Sequence, residues 1–123
     1  METASKQDGE VLVFTCAGAA YPGQACNQAG VQIQRGKIGN LYCIAAVAAK
    51  REVKLERTQA AGTRVALDGC EDECCKRILE SAGFPVEIHV VATDLGVEKK
   101  PETPRLGEDS AKIVERVREA LER

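Results

Sequence analysis

Two short candidate strands, each followed by a cysteine, constrain the fold of this chain more than any other feature. Residues 11–15 form a largely apolar run without alternation that ends at Cys16, which is typical of a strand buried on both faces, as in a parallel sheet. Residues 63–67 are predicted as a second short strand, with Asp68-Gly69-Cys70 directly at its end. The sequence therefore predicts two strands, and each of them ends close to a thiol.

A third strand and several helices complete the predicted order. Residues 86–92 alternate apolar residues with Glu87 and His89, which indicates a half-buried or edge strand. Apolar residues at helical spacing predict helices elsewhere, and glycines mark several of their ends. The predicted helices are 24–35, ending at Gly36; an Ala-rich buried helix over 41–49 that starts near Cys43; a charged segment from Lys50 to Arg57 that continues it or begins another; 71–82; and 109–122, capped by Asp109-Ser110.

This order predicts the α/β class. Strands alternating with helices favour a small parallel sheet of about three strands with helices on both faces, a three-layer αβα arrangement. We expect one metal-binding domain over 11–123, a flexible lead-in over 1–10, and a linker over 96–108 before the last helix. Because ligands of such folds bind at the carboxyl ends of the strands, Cys16 and Cys70 should lie at the functional edge of the sheet.

Composition excludes several classes of partner. The chain has 123 residues, with 17 basic and 19 acidic side chains spread along it, which argues against nucleic-acid binding. No apolar stretch approaches the roughly 18 residues of a membrane span, and the polar start is unlike an export signal. We therefore expect a cytoplasmic protein. An exposed edge of a narrow sheet leaves a homodimer or another protein partner open.

Cysteine is the outlier in this composition. The six cysteines are Cys16, Cys26, Cys43, Cys70, Cys74 and Cys75. In a reducing compartment, clustered thiols are more often metal ligands or redox groups than structural disulfides. Cys70 and Cys74 are four residues apart, so a helix that starts at Cys70 would bring both sulfurs to one side. Four thiolates converging at this edge fit tetrahedral zinc, although the long spacings between them are unlike those of zinc ribbons.

The order of these motifs resembles the DGC-domain family, which is named for its Asp-Gly-Cys motif. The matching residues are Cys16-Ala17-Gly18-Ala19, Gly23-Gln24 with Asn27-Gln28, Cys43, Asp68-Gly69-Cys70 with Cys74, and Thr93-Asp94-Leu95-Gly96 with Lys99. The resemblance covers about residues 11–100 and implies zinc binding. It also implies a ligand set of four cysteines, which correspond to Cys16, Cys43, Cys70 and Cys74. Cys26 and Cys75 look like additions to the family pattern.

Four other residues have supporting roles in this interpretation. Asp68 either caps the following helix or acts as a proton acceptor near the metal, and Gly69 permits a close backbone approach that a Cβ would block. Asp94 ends the third strand at the same edge and is a further candidate for the surroundings of the metal. His89, the one histidine, is predicted to lie away from that edge with a structural or solvent-facing role.

Three functions remain open on this evidence. The leading hypothesis is a zinc-binding protein with a structural, metal-sensing or metal-transfer role. The second is a zinc hydrolase-like enzyme in which Cys16, Cys70 and Cys74 leave the fourth position to water and Asp68 or Asp94 accepts a proton. The third is thiol redox chemistry, through a Cys70–Cys74 or Cys16–Cys70 disulfide, or binding of a soft metalloid. An iron–sulfur cluster also uses four thiolates. No complete catalytic constellation points to an enzyme.

Overall fold

The strands and helices alternate along the chain in the computed structural model, which describes residues 9–123. Its four strands are β1 (Val11–Thr15), β2 (Asn40–Leu41), β3 (Thr63–Asp68) and β4 (Ile88–Val91). Its α-helices are α1 (Tyr21–Arg35), α2 (Ile44–Ala48), α3 (Glu52–Ala60), α4 (Cys74–Ser81) and α5 (Leu106–Leu121). A 3₁₀ turn over Ala92–Leu95 follows β4.

All strand pairs are parallel, and the sheet order is β2-β1-β3-β4. The predicted α/β class and parallel sheet are confirmed, with four strands where about three were expected. The additional strand, β2, has two residues that pair with Leu12 and Val13 of β1. Two residues are too few to show a strand period, and this segment was predicted as a turn and a helix start.

Apolar residues on each face of the sheet pack against a separate layer of helices. Val11, Val13 and Val65 lie on one face with α1 and α5, whose buried residues include Ile33 and Ile113. Leu12, Phe14 and Ala66 lie on the other face with Val47 of α2 and Leu79 of α4. Because β1 and β3 are buried on both faces, they lack polar alternation. The predicted three-layer arrangement is therefore present.

Several helix boundaries differ from the predictions. Helix α1 begins at Tyr21 rather than at 24 and ends before Gly36 as expected. The Ala-rich segment forms only the short α2, in which Val47 is the buried residue, so a helix buried all round is wrong. Helix α5 begins at Leu106, and Asp109-Ser110 lies inside it rather than at its cap.

Helix α4 begins at Cys74, three residues later than predicted. Glu73 adopts a left-handed backbone conformation (φ +54°), and the Glu73 N–H donates to the Cys70 carbonyl. The intervening residues therefore form a turn, and Cys70 lies outside the helix. The four-residue spacing of Cys70 and Cys74 is thus not a helical repeat, contrary to the expectation.

The buried side chain of Arg64 bonds to the neighbouring chain segments at the amino-terminal end of β3. Its guanidinium donates to the carbonyl oxygens of Thr58 (2.8 Å), Ala61 (3.1 Å) and Pro85 (2.8 Å) and to the carboxylate of Glu87 (3.0 Å). These bonds join the end of α3 to the chain that enters β4. The guanidinium is therefore paired at this end of the sheet.

Within residues 9–123, none of the helices combines the length and the apolar character that crossing a membrane requires.

Candidate thiol site at the carboxyl edge of the sheet

Three of the predicted cysteines meet at one cavity where the strands end. Cys16 follows β1, Cys70 follows β3 after Gly69, and Cys74 is the first residue of α4. All three line a cavity of about 240 Å³, together with Asp68. The remaining lining residues are Gly18, Ala19, Ala20, Pro22, Gly23, Gly69, Asp72, Glu73 and Lys99. Parallel α/β sheets bind ligands at this edge, and this protein has a cavity there.

Glycines let three backbone segments stack beneath this cavity. A Cβ on Gly69 would lie 2.7 Å from the backbone nitrogen of Gly23, and a Cβ on Gly23 would lie 2.8 Å from that of Gly18. Real Cβ atoms do not approach backbone this closely. The predicted reason for Gly69, close approach of two backbones, agrees with this packing.

Asp68 caps α4 from the end of β3. Its side chain is 1% exposed, and its two oxygens accept the N–H groups of Cys75 (2.7 Å) and Lys76 (3.2 Å). These are amides at the start of a helix, which otherwise lack partners. The capping role foreseen for Asp68 is therefore present, and it ties β3 to the helix that carries Cys74.

His89 also bonds to Asp68. Sequence analysis missed this contact, because it placed His89 away from the carboxyl edge. Its Nε2 lies 2.9 Å from Oδ2 of Asp68. The registration of β4 explains the contact, because His89 is opposite Ala66 and Asp68 is two residues further along the same face of β3. The alternation around His89 could have revealed its face, but only the strand order shows which residue lies beside it.

The surroundings of Cys16 favour its ionised form. The pKa of the Cys16 thiol is lowered to about 6, chiefly by hydrogen bonding with the Cys26 side chain and also by the backbone of Gly18 and Gly69, although partial burial opposes ionisation. Ala17 has a left-handed backbone (φ +49°), which turns the chain so that Gly18 reaches back to the sulfur.

Cys26 and Cys75 are both fully buried. The hydrogen bond to Cys16 and burial raise the pKa of Cys26 well above its usual range. Burial and the nearby charge of Asp68 likewise raise the pKa of Cys75. Sequence analysis treated Cys26 only as an addition to the family pattern. The sequence signal was its place in the second turn of a helix that begins at the carboxyl edge.

Cys43 lies in a different position from the other three predicted ligands. It is exposed at the start of α2 and lines a neighbouring cavity with Thr15, Asn27 and Tyr42. No three Cys, His, Asp or Glu side chains among residues 9–123 are clustered tightly enough to hold a metal ion as they stand. The four predicted ligands therefore share one edge of the sheet without forming an assembled tetrahedron.

Asp94 is exposed in the 3₁₀ turn and is not among the residues that line the thiol cavity. Its segment still approaches the edge, because the N–H of Thr93 donates to the carbonyl of Gly69 at 3.2 Å. Lys99 lies at the cavity and pairs with Glu71 at 2.8 Å. Both side chains of that pair are largely exposed, so the pair adds little stability.

The fold and this edge define a small αβα domain with cysteines at the ends of neighbouring parallel strands. The DGC-domain family model matches residues 12–117, and the chain belongs to that family. The resemblance carried by Asp68-Gly69-Cys70 and the other cysteines is thereby confirmed. The chain is also similar to the anaerobic and virulence modulator AnvM of Pseudomonas aeruginosa. The two are 29% identical over 120 residues, which is 97% of this chain and 88% of the relative. No solved structure matches the chain significantly.

Proposed function

We propose that this domain binds a thiophilic metal ion, with zinc as the preferred ion, at the carboxyl edge of its sheet. The ligands are the thiolates of Cys16, Cys70 and Cys74, with Cys43 as the fourth. The observation that carries the proposal is that the first three line one cavity. Thiolate sulfur is the donor that zinc and other soft ions prefer in closed protein sites.

The donor set fits such an ion in chemistry and accessibility. Cys43 and Cys74 are exposed and Cys16 and Cys70 are partly exposed, so a change of rotamer need not open the core. The donors around the Cys16 sulfur stabilise negative charge where a thiolate ligand needs it. Because the thiols are not assembled in advance, binding must bring them together and should stabilise this edge.

We favour a responsive role, sensing or transfer, because the four thiols lie at the carboxyl edge of the sheet, where α/β folds bind exchangeable ligands, and all of them are at least partly exposed. The relative from Pseudomonas aeruginosa is named as a modulator, which also favours regulation over hydrolysis.

A chelator-competition titration of reduced, metal-free protein with zinc tests the proposal. The matched pair is Cys74→Ala and Cys75→Ala, because these neighbours differ in that only Cys74 lines the cavity. A structural zinc site is worth roughly 10–16 kcal/mol shared among four ligands, so losing one should weaken binding by about 100-fold or more. We expect that loss for Cys74→Ala and a change below about threefold for Cys75→Ala. Equal affinities of wild type and Cys74→Ala would refute the ligand set.

Cys43→Ala decides between the four-thiolate and three-thiolate forms. A loss as large as that of Cys74→Ala makes Cys43 a ligand. An unchanged zinc affinity would leave Cys16, Cys70 and Cys74 with an open fourth position, which is the arrangement a hydrolytic enzyme needs. The absorption spectrum of anaerobically purified protein tests the iron–sulfur alternative, because such clusters absorb visible light and zinc thiolates do not.

A further inference from the structure

A shallow groove lies between helices α2 and α4. Its volume is about 320 Å³. One wall is formed by α2 and the turn that follows it, and the other by α4 and its last turn. The lining residues are Val47, Ala48, Lys50, Arg77, Ile78, Ser81 and Ala82. This lining shares no residue with that of the thiol cavity and includes none of the four proposed metal ligands, so the groove is a separate surface.

The floor of the groove is apolar. Val47 is 1% exposed, and Ile78 and Ala82 are half-buried. All three pack into the core layer that contains Phe14, so the fold holds the floor in place. An apolar side chain of a partner that covered this floor would be removed from water together with it, which favours association.

The rim of the groove is cationic on both sides. Lys50 lies on the α2 wall and Arg77 on the α4 wall, and both are exposed. Within residues 9–123, no acidic residue lines the groove and neither cation forms an ion pair. The Nε of Arg77 donates to the Asp72 carbonyl at 2.7 Å, a neutral acceptor that leaves the charge uncompensated. On a chain with a formal net charge of −2, this rim is a local positive site.

We propose that this groove docks a segment of a protein partner that is acidic and amphipathic. Apolar side chains of the segment cover Val47, Ile78 and Ala82, and its carboxylates pair with Lys50 and Arg77. An apolar centre with a polar rim is the usual anatomy of a protein interface. An amphipathic helix in an apolar groove is a common form of such recognition.

The shallowness of the groove favours a peptide over a small molecule. Ala48, Lys50, Arg77 and Ser81 are all exposed, so four of the seven lining residues remain in contact with water. A small-molecule site buries most of the surface of its ligand, which this groove does not do. An amphipathic peptide needs only its apolar face to be covered.

Two lysines in the same backbone conformation provide a matched test of the rim. Lys50 follows α2 with a φ of +58°, and Lys37 follows α1 with a φ of +60°. Glycine adopts this conformation without strain, so replacing either lysine by glycine removes a charge without destabilising its turn. Lys37 lines a different cavity with Arg118 and Glu122. Lys50→Gly/Arg77→Gln therefore changes the groove, and Lys37→Gly/Arg118→Gln changes the net charge equally elsewhere.

A displayed library of random peptides supplies the probe. The library is depleted on the folded Lys50→Gly/Arg77→Gln variant and then selected on the full wild-type chain. We expect the enriched peptides to combine Asp or Glu with apolar residues at helical spacing. The most enriched peptide is synthesised with a fluorescent label, and its affinity for each protein is measured by fluorescence anisotropy.

The groove variant should bind this peptide about tenfold more weakly than wild type, since each lost charge pair is worth up to about fivefold in affinity. Lys37→Gly/Arg118→Gln should bind within about twofold of wild type, because distant charges are screened. Ala48→Glu places a carboxylate in the groove and should also weaken binding, whereas the neighbouring Ala49→Glu lies outside the lining and should not. A selection that enriches no acidic amphipathic peptide, or equal affinities of the two double variants, would overturn the proposal.

Sedimentation of the wild-type chain and of Lys50→Gly/Arg77→Gln tests a second copy of this chain as the occupant. We expect the same molecular mass for both proteins. A wild-type dimer that the groove variant converts to a monomer would make the second copy the occupant and overturn the proposal. Peptide binding is measured in the presence of a chelator, so its outcome does not depend on that of the zinc titration.

Discussion

The two ends of strand β3 each bury a charged side chain, with different results. Arg64 lies near the start of β3 and is 7% exposed, and Asp68 lies at its end and is 1% exposed. Arg64 bonds to carbonyl oxygens and to Glu87 and so joins neighbouring chain segments. Asp68 holds the start of α4 and His89, but it borders a cavity with three accessible thiols.

This difference shows how one strand separates stability from chemistry. At the amino-terminal end the buried charge is surrounded by backbone acceptors, and removing it should affect folding alone. At the carboxyl end the buried charge supports a loop and a helix that present Cys70 and Cys74 to solvent. A change there should affect both folding and thiol chemistry.

The largest loss of stability is expected from Arg64→Met. The change removes the guanidinium donor from the carbonyl oxygens of Ala61 and Pro85 and leaves that of Thr58 with only the longer bond from the Ala61 N–H (3.4 Å), since an apolar chain replaces the guanidinium. Unpaired buried acceptors cost about 1–3 kcal/mol each before relaxation, so we expect about 3 kcal/mol in the free energy of unfolding. Urea denaturation measures it. A loss below about 1 kcal/mol, or a tenfold change in zinc affinity, would contradict the separation of the two ends.

Asp68→Ala should cost somewhat less, about 2–3 kcal/mol, and should also weaken zinc binding. Two N–H groups of α4 and the ring of His89 lose their acceptor, and hydrogen bonds to a charged group are worth about 1.5–3 kcal/mol. Asp94→Ala is the matched control, since this exposed aspartate should change stability by no more than about 0.5 kcal/mol. An equal loss of unfolding free energy in the two variants would show that the cap by Asp68 does not stabilise the protein.

Gly69→Ala tests the close packing beneath the cavity. The new Cβ would lie 2.7 Å from the nitrogen of Gly23, and because both partners are backbone, the loops must move apart. Overpacking of this kind costs about 1–3 kcal/mol. We expect the free energy of unfolding, measured by thermal or urea denaturation, to fall by about 2 kcal/mol. Gly107→Ala is the control, because nothing lies within 4 Å of the added Cβ in helix α5. A stable Gly69→Ala protein with unchanged zinc affinity would mean that this packing does not shape the site.

The smallest effect is expected from Cys43→Ala in metal-free protein. The side chain is exposed at the start of α2, so the free energy of unfolding should change by less than about 0.5 kcal/mol. With zinc added, the same variant should lose much of the metal-induced rise in melting temperature. A scanning fluorimetry series with and without zinc measures both, and a variant that gains as much from zinc as wild type would exclude Cys43 as a ligand.

The sequence predicted the parts of this site that depend on strand ends. Strand β1 is recognisable because burial on both faces removes polar alternation, β3 was predicted as a second short strand, and Cys16 and Cys70 then follow at the carboxyl edge. The influence of Cys26 on the pKa of Cys16 was missed, because it depends on how α1 packs against the loop before it. Strand β2 was missed because its two residues are held by pairing to β1 rather than by a pattern of their own.

The start of α4 shows another limit of sequence reasoning. Helical periodicity continues back to Glu71, but the left-handed backbone of Glu73 interrupts it. A turn closed by one backbone hydrogen bond leaves no clear mark in residue types. Cys70 and Cys74 meet at the cavity through that turn, although a continuous helix was the expected reason.

The central claim is that the thiols at the carboxyl edge of the sheet bind zinc. The most direct measurement is elemental analysis of untagged protein purified anaerobically, with thiols counted on the same folded sample before and after a chelator. We expect one zinc per chain and about four thiols that become reactive only after the chelator is added, since Cys26 and Cys75 are buried. Protein without stoichiometric zinc, whose four accessible thiols react at once and whose stability does not rise when zinc is added, would contradict it.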